Sequence, residues 1–191
     1  MKALAIAHGE ELCNSYRTTQ GMDTMILRFD HVYGIPKKGE KLTDPCFKMC
    51  LESLKSGKIP ANSRNSFSMI YLKDAIEYAY KAMTDREPSQ VCYHISSMEE
   101  INETQLAELV RKHMGGKTEI VDNSVGESHR LILDGKKYLE EYDMRVFVSY
   151  DAGVQKVVQY MKRHREDFLK DEDAGQGKWG KLLHNVRVII K

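Results

Sequence analysis

The sequence predicts an α/β fold, because segments with strand-like and helix-like patterns alternate along it. Short apolar runs such as 24–29 and 91–96 stand between longer segments whose apolar residues recur at helical spacing. With 191 residues, the chain is long enough for one full-sized hydrophobic core and too short for two domains of usual size. Its hydrophobic fraction of 41% and charged fraction of 30% are typical of a soluble globular protein.

The N-terminal segment predicts a helix followed by a buried strand. Over residues 2–19 the apolar positions approximate a stripe of 3.6-residue period, and Gly21 follows as a stop signal. Residues 24–29, TMILRF, are short and apolar and come after a glycine turn, which predicts a strand. Residues 30–44 contain glycine and proline in polar company and predict a loop.

A second helix has a clear start and stop. Asp44 can cap the free amides, Pro45 suits the first helical position, and Gly57 ends the run CFKMCLESLKS. After a polar loop, residues 67–72 (FSMIYL) predict a strand. Asp74 is then predicted to cap the next helix, AIEYAYKAMTD.

The second half continues the alternation. The same patterns predict strands over 91–96 and 117–122 and helices over 102–116, 135–142 and 152–168. Asn102 is the predicted cap of its helix, and a Gly-Gly pair is the stop. Three tyrosines of the earlier strand over 67–72 and the helix after it fall at apolar positions: Tyr71, Tyr78 and Tyr80. They and several methionines are predicted to pack in the core.

The chain changes character after Phe168, so we divide it into a domain over 1–168 and a linker and tail over 169–191. The segment LKDEDAGQGKWGK is charged and rich in glycine, as linkers are, and LLHNVRVIIK is too short to pack by itself. Two interpretations stay open: a frayed tail, or a segment that leads to a membrane or partner element beyond Lys191. The opening residues do not have the pattern of a signal peptide, and we expect a cytoplasmic protein.

Charge and cysteine content narrow the function classes. A net charge of +1, from 29 basic and 28 acidic residues, gives no reason to expect nucleic-acid binding. Cys46 and Cys50 would share one helix face, but neither they nor Cys13 and Cys92 complete a zinc set with a neighbouring His or Cys pair. We therefore predict reduced, buried thiols and no metal site.

Three stretches together resemble the C-terminal half of the extended short-chain dehydrogenase/reductase family, the NAD-dependent nucleotide-sugar epimerases and dehydratases. GEELCNSYRTTQGMDTMILRFDHVYGIP resembles the family's helix after its catalytic lysine and the strand ending in Arg-aromatic-x-Asn-x-Tyr-Gly-Pro. FSMIYLKDAIEYAYKAM resembles Arg-Asp-Phe-x-Tyr-Val-x-Asp, and VCYHISSMEEINETQLAELV resembles the family's Tyr-Asn-(Ile/Val)-Gly strand and next helix. The likeness runs from about residue 8 to 164. It implies a partial Rossmann-like sheet with a small substrate-binding α/β portion.

The departures from the family pattern concern the cofactor and the catalytic pair. The family's Gly-x-x-Gly-x-x-Gly loop for NAD or NADP is absent, and so is about half of the usual family length, so we expect this chain alone to bind no cofactor. The family's Tyr-x-x-x-Lys pair has two possible registers here. Without a gap, Ile6 and Lys2 replace the lysine and the tyrosine; with one inserted helical turn, Lys2 is the lysine. Neither register supplies a catalytic tyrosine.

The resemblance also implies site residues around the end of the strand over 24–29. His31 stands where the family has an asparagine on the nucleotide-sugar, and Phe29 and His31 are the predicted cofactor contacts. The predicted substrate contacts are His31, Tyr33, Arg28 and Arg64. Arg28 has an alternative role as a structural tie to a nearby acid. Phe67 replaces a family arginine that faces phosphates, and Gly34 is expected to need a positive φ.

Two functions follow. The chain is either the substrate-binding half of an NAD(P)-dependent nucleotide-sugar epimerase, dehydratase or reductase, or a non-catalytic descendant that keeps the fold for binding or assembly. By resemblance its partners are a nucleotide-sugar and the missing N-terminal Rossmann half. Without that half a strand edge and the apolar face of helix 2–19 would be exposed, which predicts a homo-oligomer or strand exchange.

Overall fold

The computed structural model describes residues 2–38, 40, 42–85, 89–124, 126–144, 147–169 and 186–190. The helices are α1 (Lys2–Gln20), α2 (Pro45–Ser56), α3 (Leu72–Thr84), α4 (Glu103–Met114), α5 (Lys136–Glu141), α6 (Tyr150–Arg163) and α7 (Arg165–Leu169). The strands are β1 (Thr24–Phe29), β2 (His31–Tyr33), β3 (Lys58–Ala61), β4 (Ser66–Phe67), β5 (Met69–Tyr71), β6 (Cys92–Ile95), β7 (Ile101–Asn102), β8 (Glu119–Asp122), β9 (Arg130–Leu131) and β10 (Val186–Ile190). The predicted α/β fold is confirmed.

The main sheet has the strand order β10-β1-β6. β1 runs parallel to β6, with Phe29 opposite Ile95, and antiparallel to β10, with Thr24 opposite Ile190. Helix α1 is tied to the start of β1, because the Thr24 hydroxyl donates to the Cys13 carbonyl at 3.2 Å and the Arg17 guanidinium donates to the Thr24 carbonyl at 3.0 Å. The predicted helix and strand at the N-terminus are both confirmed.

The strands other than β1, β6 and β10 form three smaller sheets. β2 pairs in parallel with β5, β3 pairs in parallel with β8, and β4 lies between antiparallel β7 and parallel β9. The predicted strand over 67–72 is therefore two strands. Phe67 pairs with Ile101 whereas Met69 pairs with His31, so the run serves two sheets and changes partner at Ser68. The predicted loop after β1 likewise contains a strand, β2.

The helix ends confirm most of the predicted caps. The Asp44 Oδ1 accepts from the Phe47 amide at 2.9 Å, and Gly57 ends α2 at φ +70°. Asn102 forms a capping box with Gln105 at the start of α4. The prediction for Asp74 is wrong, because α3 begins at Leu72 directly after β5. Asp74 lies inside the first turn, where its Oδ2 accepts from the Val148 amide at 2.8 Å.

Two hydrophobic clusters form the core. The larger lies among α2, α4 and α6, and the smaller packs α3 and α5 against β1 and β6. Tyr71 and Tyr78 are buried as predicted. Tyr80 is 65% exposed, so its predicted core position is wrong. It lies with Ile76 and Met83 on the face of α3 that turns away from Tyr78.

The C-terminal part departs from the prediction in two ways. The predicted helix over 152–168 is two helices, α6 and α7, separated at His164. Residues 186–190 form β10 at the edge of β1, although the sequence predicts only a linker and tail there. The proposed division at residue 168 stays a prediction.

The described residues also show the state of the cysteines, the character of the helices and the grouping of possible metal ligands. All four cysteines are free, with Cys13, Cys46 and Cys50 buried and Cys92 half-buried. Within the described ranges, no helix has the length and apolarity that crossing a membrane requires. The same residues contain no group of three or more His, Cys, Asp or Glu side chains placed to hold a metal ion.

Candidate functional site

A cleft of about 300 Å³ lies where β1 ends and the chain passes into β2. Helix α1 supplies one side of it, the β1–β2 segment the floor, and Ser68 and the residues around β9 the other side. Its lining residues are Ile6, Ala7, Glu10, Arg28, Phe29, Asp30, His31, Ser68, Leu131 and Leu133. In open α/β sheets, ligands bind beyond the carboxyl ends of the strands, and this cleft has that position relative to the parallel pair β1 and β6.

Arg28, on β1, is bound to an acid. Its guanidinium donates to both carboxylate oxygens of Glu10 on α1, from Nε at 2.8 Å and from Nη2 at 2.5 Å. This bidentate bond holds the pKa of Glu10 below its usual value. Nη1 also lies 3.4 Å from His94 Nε2 on β6. The structure thus fits the alternative role, a structural tie between strand and helix, and the Arg28 side chain stays 44% exposed.

His31 forms part of the cleft wall. It is the first residue of β2 and pairs with Met69 of β5, which fixes its backbone beside the end of β1. Its ring meets Phe67 edge to face, with 5.3 Å between ring centroids. Phe67 is itself buried, so the residue at the family's arginine position supports His31 and carries no charge to the site.

Asp30 also lines the cleft, and it is not among the predicted site residues. It is 6% exposed, and its amide donates to the Ile95 carbonyl at 3.1 Å. Burial raises the pKa of its carboxyl, while hydrogen bonds with Ser96 and Ser68 oppose that shift. Its Oδ2 has no hydrogen-bond partner in the described part of the chain. The available signal was an acid placed directly after a buried strand, between Arg28 and His31.

The other predicted site residues lie in different places. Phe29 lines the cleft from the end of β1. Tyr33 does not, because it is 1% exposed and its ring packs in the larger core cluster. Arg64 is in the loop before β4, where it donates to the Gly126 carbonyl at 3.0 Å and does not line the cleft. The side chain of Lys2, the conditional catalytic residue, lies outside the described residues.

A glycine is needed at position 34 for a different reason from the expected one. Its φ is not among the positive glycine values, so that prediction is wrong. A Cβ at this position would lie 2.7 Å from the Leu72 Cβ. Gly34 is therefore required by the close approach of α3, which follows from the pairing of β2 with β5.

Two strand–helix junctions of the described residues lack the glycine turn that holds a dinucleotide pyrophosphate. A pyrophosphate binds free amides in a glycine turn between a strand and a helix. Here β5 passes directly into α3, and β7 passes directly into α4, whose first turn carries Glu103. Gly175, Gly177 and Gly180 have the Gly-x-Gly-x-x-Gly spacing, but they lie outside the described residues and the element before them is α7, a helix.

No protein-family model and no curated protein sequence matches this chain. Solved structures do match it in fold. One is dTDP-glucose 4,6-dehydratase from Bacillus anthracis, solved with NAD, at 19% identity and a TM-score of 0.66, over 83% of this chain and 50% of that one. Another is an epimerase from Methanothermobacter thermautotrophicus, at 15% identity and a TM-score of 0.75, over 85% of this chain and 50% of that one.

A third match is UDP-glucose 4-epimerase from Thermotoga maritima, solved with UDP-glucose, at 19% identity and a TM-score of 0.70. It covers 84% of this chain and 52% of that one. The chain thus spans about half the length of the solved structures that it matches. At these identities the shared property is the fold. The chain has the fold of about half of the dehydratase and epimerase structures that it matches.

Proposed function

We propose that the chain is the substrate-binding half of an NAD(P)-dependent nucleotide-sugar epimerase, dehydratase or reductase, and that it does not turn over substrate by itself. The observation that carries the proposal is the cleft beyond β1 and β6, with His31 on its wall. His31 has ring nitrogens that can donate or accept, as the family's asparagine does. By this proposal Phe29 and His31 face the cofactor held by the other half.

A binding experiment tests the proposal. The 191-residue chain should show a thermal shift with UDP-glucose, UDP-glucuronic acid or dTDP-glucose, and none with NAD or NADP. His31→Asn should keep the shift because an amide can also donate, whereas His31→Ala should lose it. A shift of several degrees with NAD alone, or equal shifts for the two His31 variants, would contradict the proposal.

A second function is favoured by one observation. In the ungapped register the family's lysine position holds Ile6, and Ile6 lines the cleft beside Glu10. An apolar side chain there cannot hold a ribose or lower the pKa of a tyrosine, which is what a non-catalytic binding or assembly domain would show. An upstream coding segment with a glycine-rich βαβ unit and a tyrosine shortly before Met1 would favour the enzyme, and its absence would favour the descendant.

Partners and location belong to the same proposal. Three large apolar side chains of helix α1 are exposed: Leu4 at 64%, Leu12 at 60% and Tyr16 at 51%. Among the described side chains of this helix, Cys13 is the buried one. Such a face favours a homo-oligomer, or docking of the missing N-terminal half. Sedimentation of the chain should give a species larger than 22.0 kDa; a clean monomer over a wide concentration range counts against it. The free thiols are compatible with the cytoplasm.

A further inference from the structure

The cleft contains few charges that a ligand can use. Of its described lining residues, Arg28 is the permanent cation, and it is paired with both oxygens of Glu10. These two charges cancel, which leaves the carboxyl of Asp30 and the ring of His31 as the groups of variable charge. Such a lining gives no excess of positive charge to a phosphate.

Arginines near the cleft are also engaged away from it. Arg64 binds the Gly126 carbonyl, and Arg130 of β9 donates to both oxygens of Glu100, at 3.1 and 2.9 Å. Phe67 stands at the position of the family's phosphate-facing arginine and packs against His31. The charge pattern therefore favours an uncharged group inside the cleft, with any diphosphate outside it.

We propose that the cleft takes the uncharged, hydroxyl-bearing ring of the ligand, and that Asp30 is the specificity-determining residue, because its carboxyl accepts a hydrogen bond from a ring hydroxyl. This inference rests on the proposed function and names which part of the nucleotide-sugar this chain reads. Asp30 occupies the unspecified position of the strand-end motif, between Phe29 and His31.

The surroundings of Asp30 support this role. Its carboxyl is buried and interacts with Ser96, Ser68 and the main chain of Leu133, while Oδ2 has no hydrogen-bond partner in the described residues. Buried polar atoms in folded proteins are nearly always paired, so an unpaired acceptor at the floor of a cleft is suited to a hydroxyl donor. Ile6, Leu131 and Leu133 supply apolar walls against which the C–H face of a sugar ring can pack.

Calorimetric titration of the 191-residue chain with UDP-glucose and with UDP tests the inference. In the native chain, UDP-glucose should bind at least tenfold more tightly than UDP, since the sugar makes the cleft contacts. Asp30→Asn should weaken UDP-glucose about tenfold, because a charge-assisted hydrogen bond becomes a neutral one, and leave UDP unchanged. Asp23→Asn, an exposed aspartate before β1, is the matched control and should change neither.

Equal affinities for UDP and UDP-glucose, or an Asp30→Asn variant with native affinity for both, would overturn the inference. If His31→Ala weakens binding while Asp30→Asn does not, the proposed function stands and this inference alone fails. If the native chain binds no nucleotide-sugar, both fail. Should Asp30→Asn not fold, Ser68→Ala decides, because it removes one support of the carboxyl. It should lower the preference for UDP-glucose over UDP several-fold, and an unchanged preference refutes the role.

Discussion

Replacing Asp44 by asparagine should make the protein more stable at neutral pH. Asp44 caps α2 through Oδ1, but it is 8% exposed and its Oδ2 has no hydrogen-bond partner in the described part of the chain. Burial raises the pKa of this carboxyl from its ordinary 3.8 to about 6, although the Phe47 amide hydrogen bond opposes the shift. The buried charge therefore destabilises the folded state.

The magnitude follows from the linkage between pKa and stability. Below pH 3.8 the carboxyl is protonated in both the folded and the unfolded chain, and no penalty exists. Between pH 3.8 and about 6 the unfolded chain loses its proton first, so the free energy of unfolding falls as pH rises. Above that range the penalty is constant, at about 3 kcal/mol. Losing the favourable charge at the helix N-terminus costs the variant about 0.5 kcal/mol, which leaves a net gain of about 2 to 3 kcal/mol.

Urea unfolding followed by circular dichroism between pH 4 and 8 measures this effect. With an m-value of about 2 kcal/mol per molar urea, the midpoint of Asp44→Asn at pH 7.5 should rise by roughly 1 to 1.5 M. The gain should shrink towards zero at pH 4. Asp134→Asn is the control, since Asp134 is exposed and also accepts a main-chain amide, from Lys136 at 3.1 Å; its effect should stay within about 0.5 kcal/mol. An Asp44→Asn gain that is absent at pH 7.5, or equally large at pH 4, refutes the reasoning.

Four further perturbations test a core contact, a helix cap and a strand edge. Gly153→Ala should destabilise the fold by about 3 kcal/mol in urea unfolding, because its Cβ would lie 2.1 Å from the Tyr33 hydroxyl oxygen. Tyr33→Phe should be neutral or stabilise by about 1 kcal/mol, since that hydroxyl has no partner among the described residues, and it should reduce the cost of Gly153→Ala; additive effects would contradict this contact. Asn102→Ala should cost about 1 kcal/mol through loss of the capping box, and no change would remove that role. Deleting residues 186–191 should uncover the β1 edge and give concentration-dependent association by light scattering; an unchanged monomer–oligomer balance would show that β10 does not protect it.

Local chemistry predicts the parts of the fold that depend on neighbouring residues. Asp44, Gly57 and Asn102 act through hydrogen bonds or φ values within one turn, so the sequence around each is sufficient. The strand over 24–29 turns one apolar face (Met25, Leu27 and Phe29) to the smaller core cluster. Its other face is tied to α1 through Thr24 and Arg28. These elements therefore appear where the patterns place them.

The failures depend on contacts between distant segments. Residues 66–71 form two strands because Ile101 and His31 pair with different parts of one apolar run, which no local pattern reveals. Asp74 has the composition of a cap, but its partner is the amide of Val148, far along the chain.

The resemblance predicts where a candidate site lies, but not how the charges there are paired. Resemblance to the family placed His31 and Arg28 at the end of β1, and both line the cleft. The resemblance could not show that Glu10 forms an ion pair with Arg28, because that contact forms only when α1 is folded against the strand. Asp30 has no counterpart in the motif; the sequence offers only an acid directly after a buried strand, and the burial of that acid at the cleft needs the folded structure.

Because β10 pairs with β1, the main sheet can be completed only late in the synthesis of the protein. Thr24 is opposite Ile190, so the hydrogen bonds that complete the sheet join segments at opposite ends of the described chain. At the usual rate of translation, about 10 to 30 s separate the synthesis of the two strands. During that interval the main-chain groups on one side of β1 have no strand beside them. A nascent chain is therefore most open to a foreign strand, or to a chaperone, before residues 186–190 have been made.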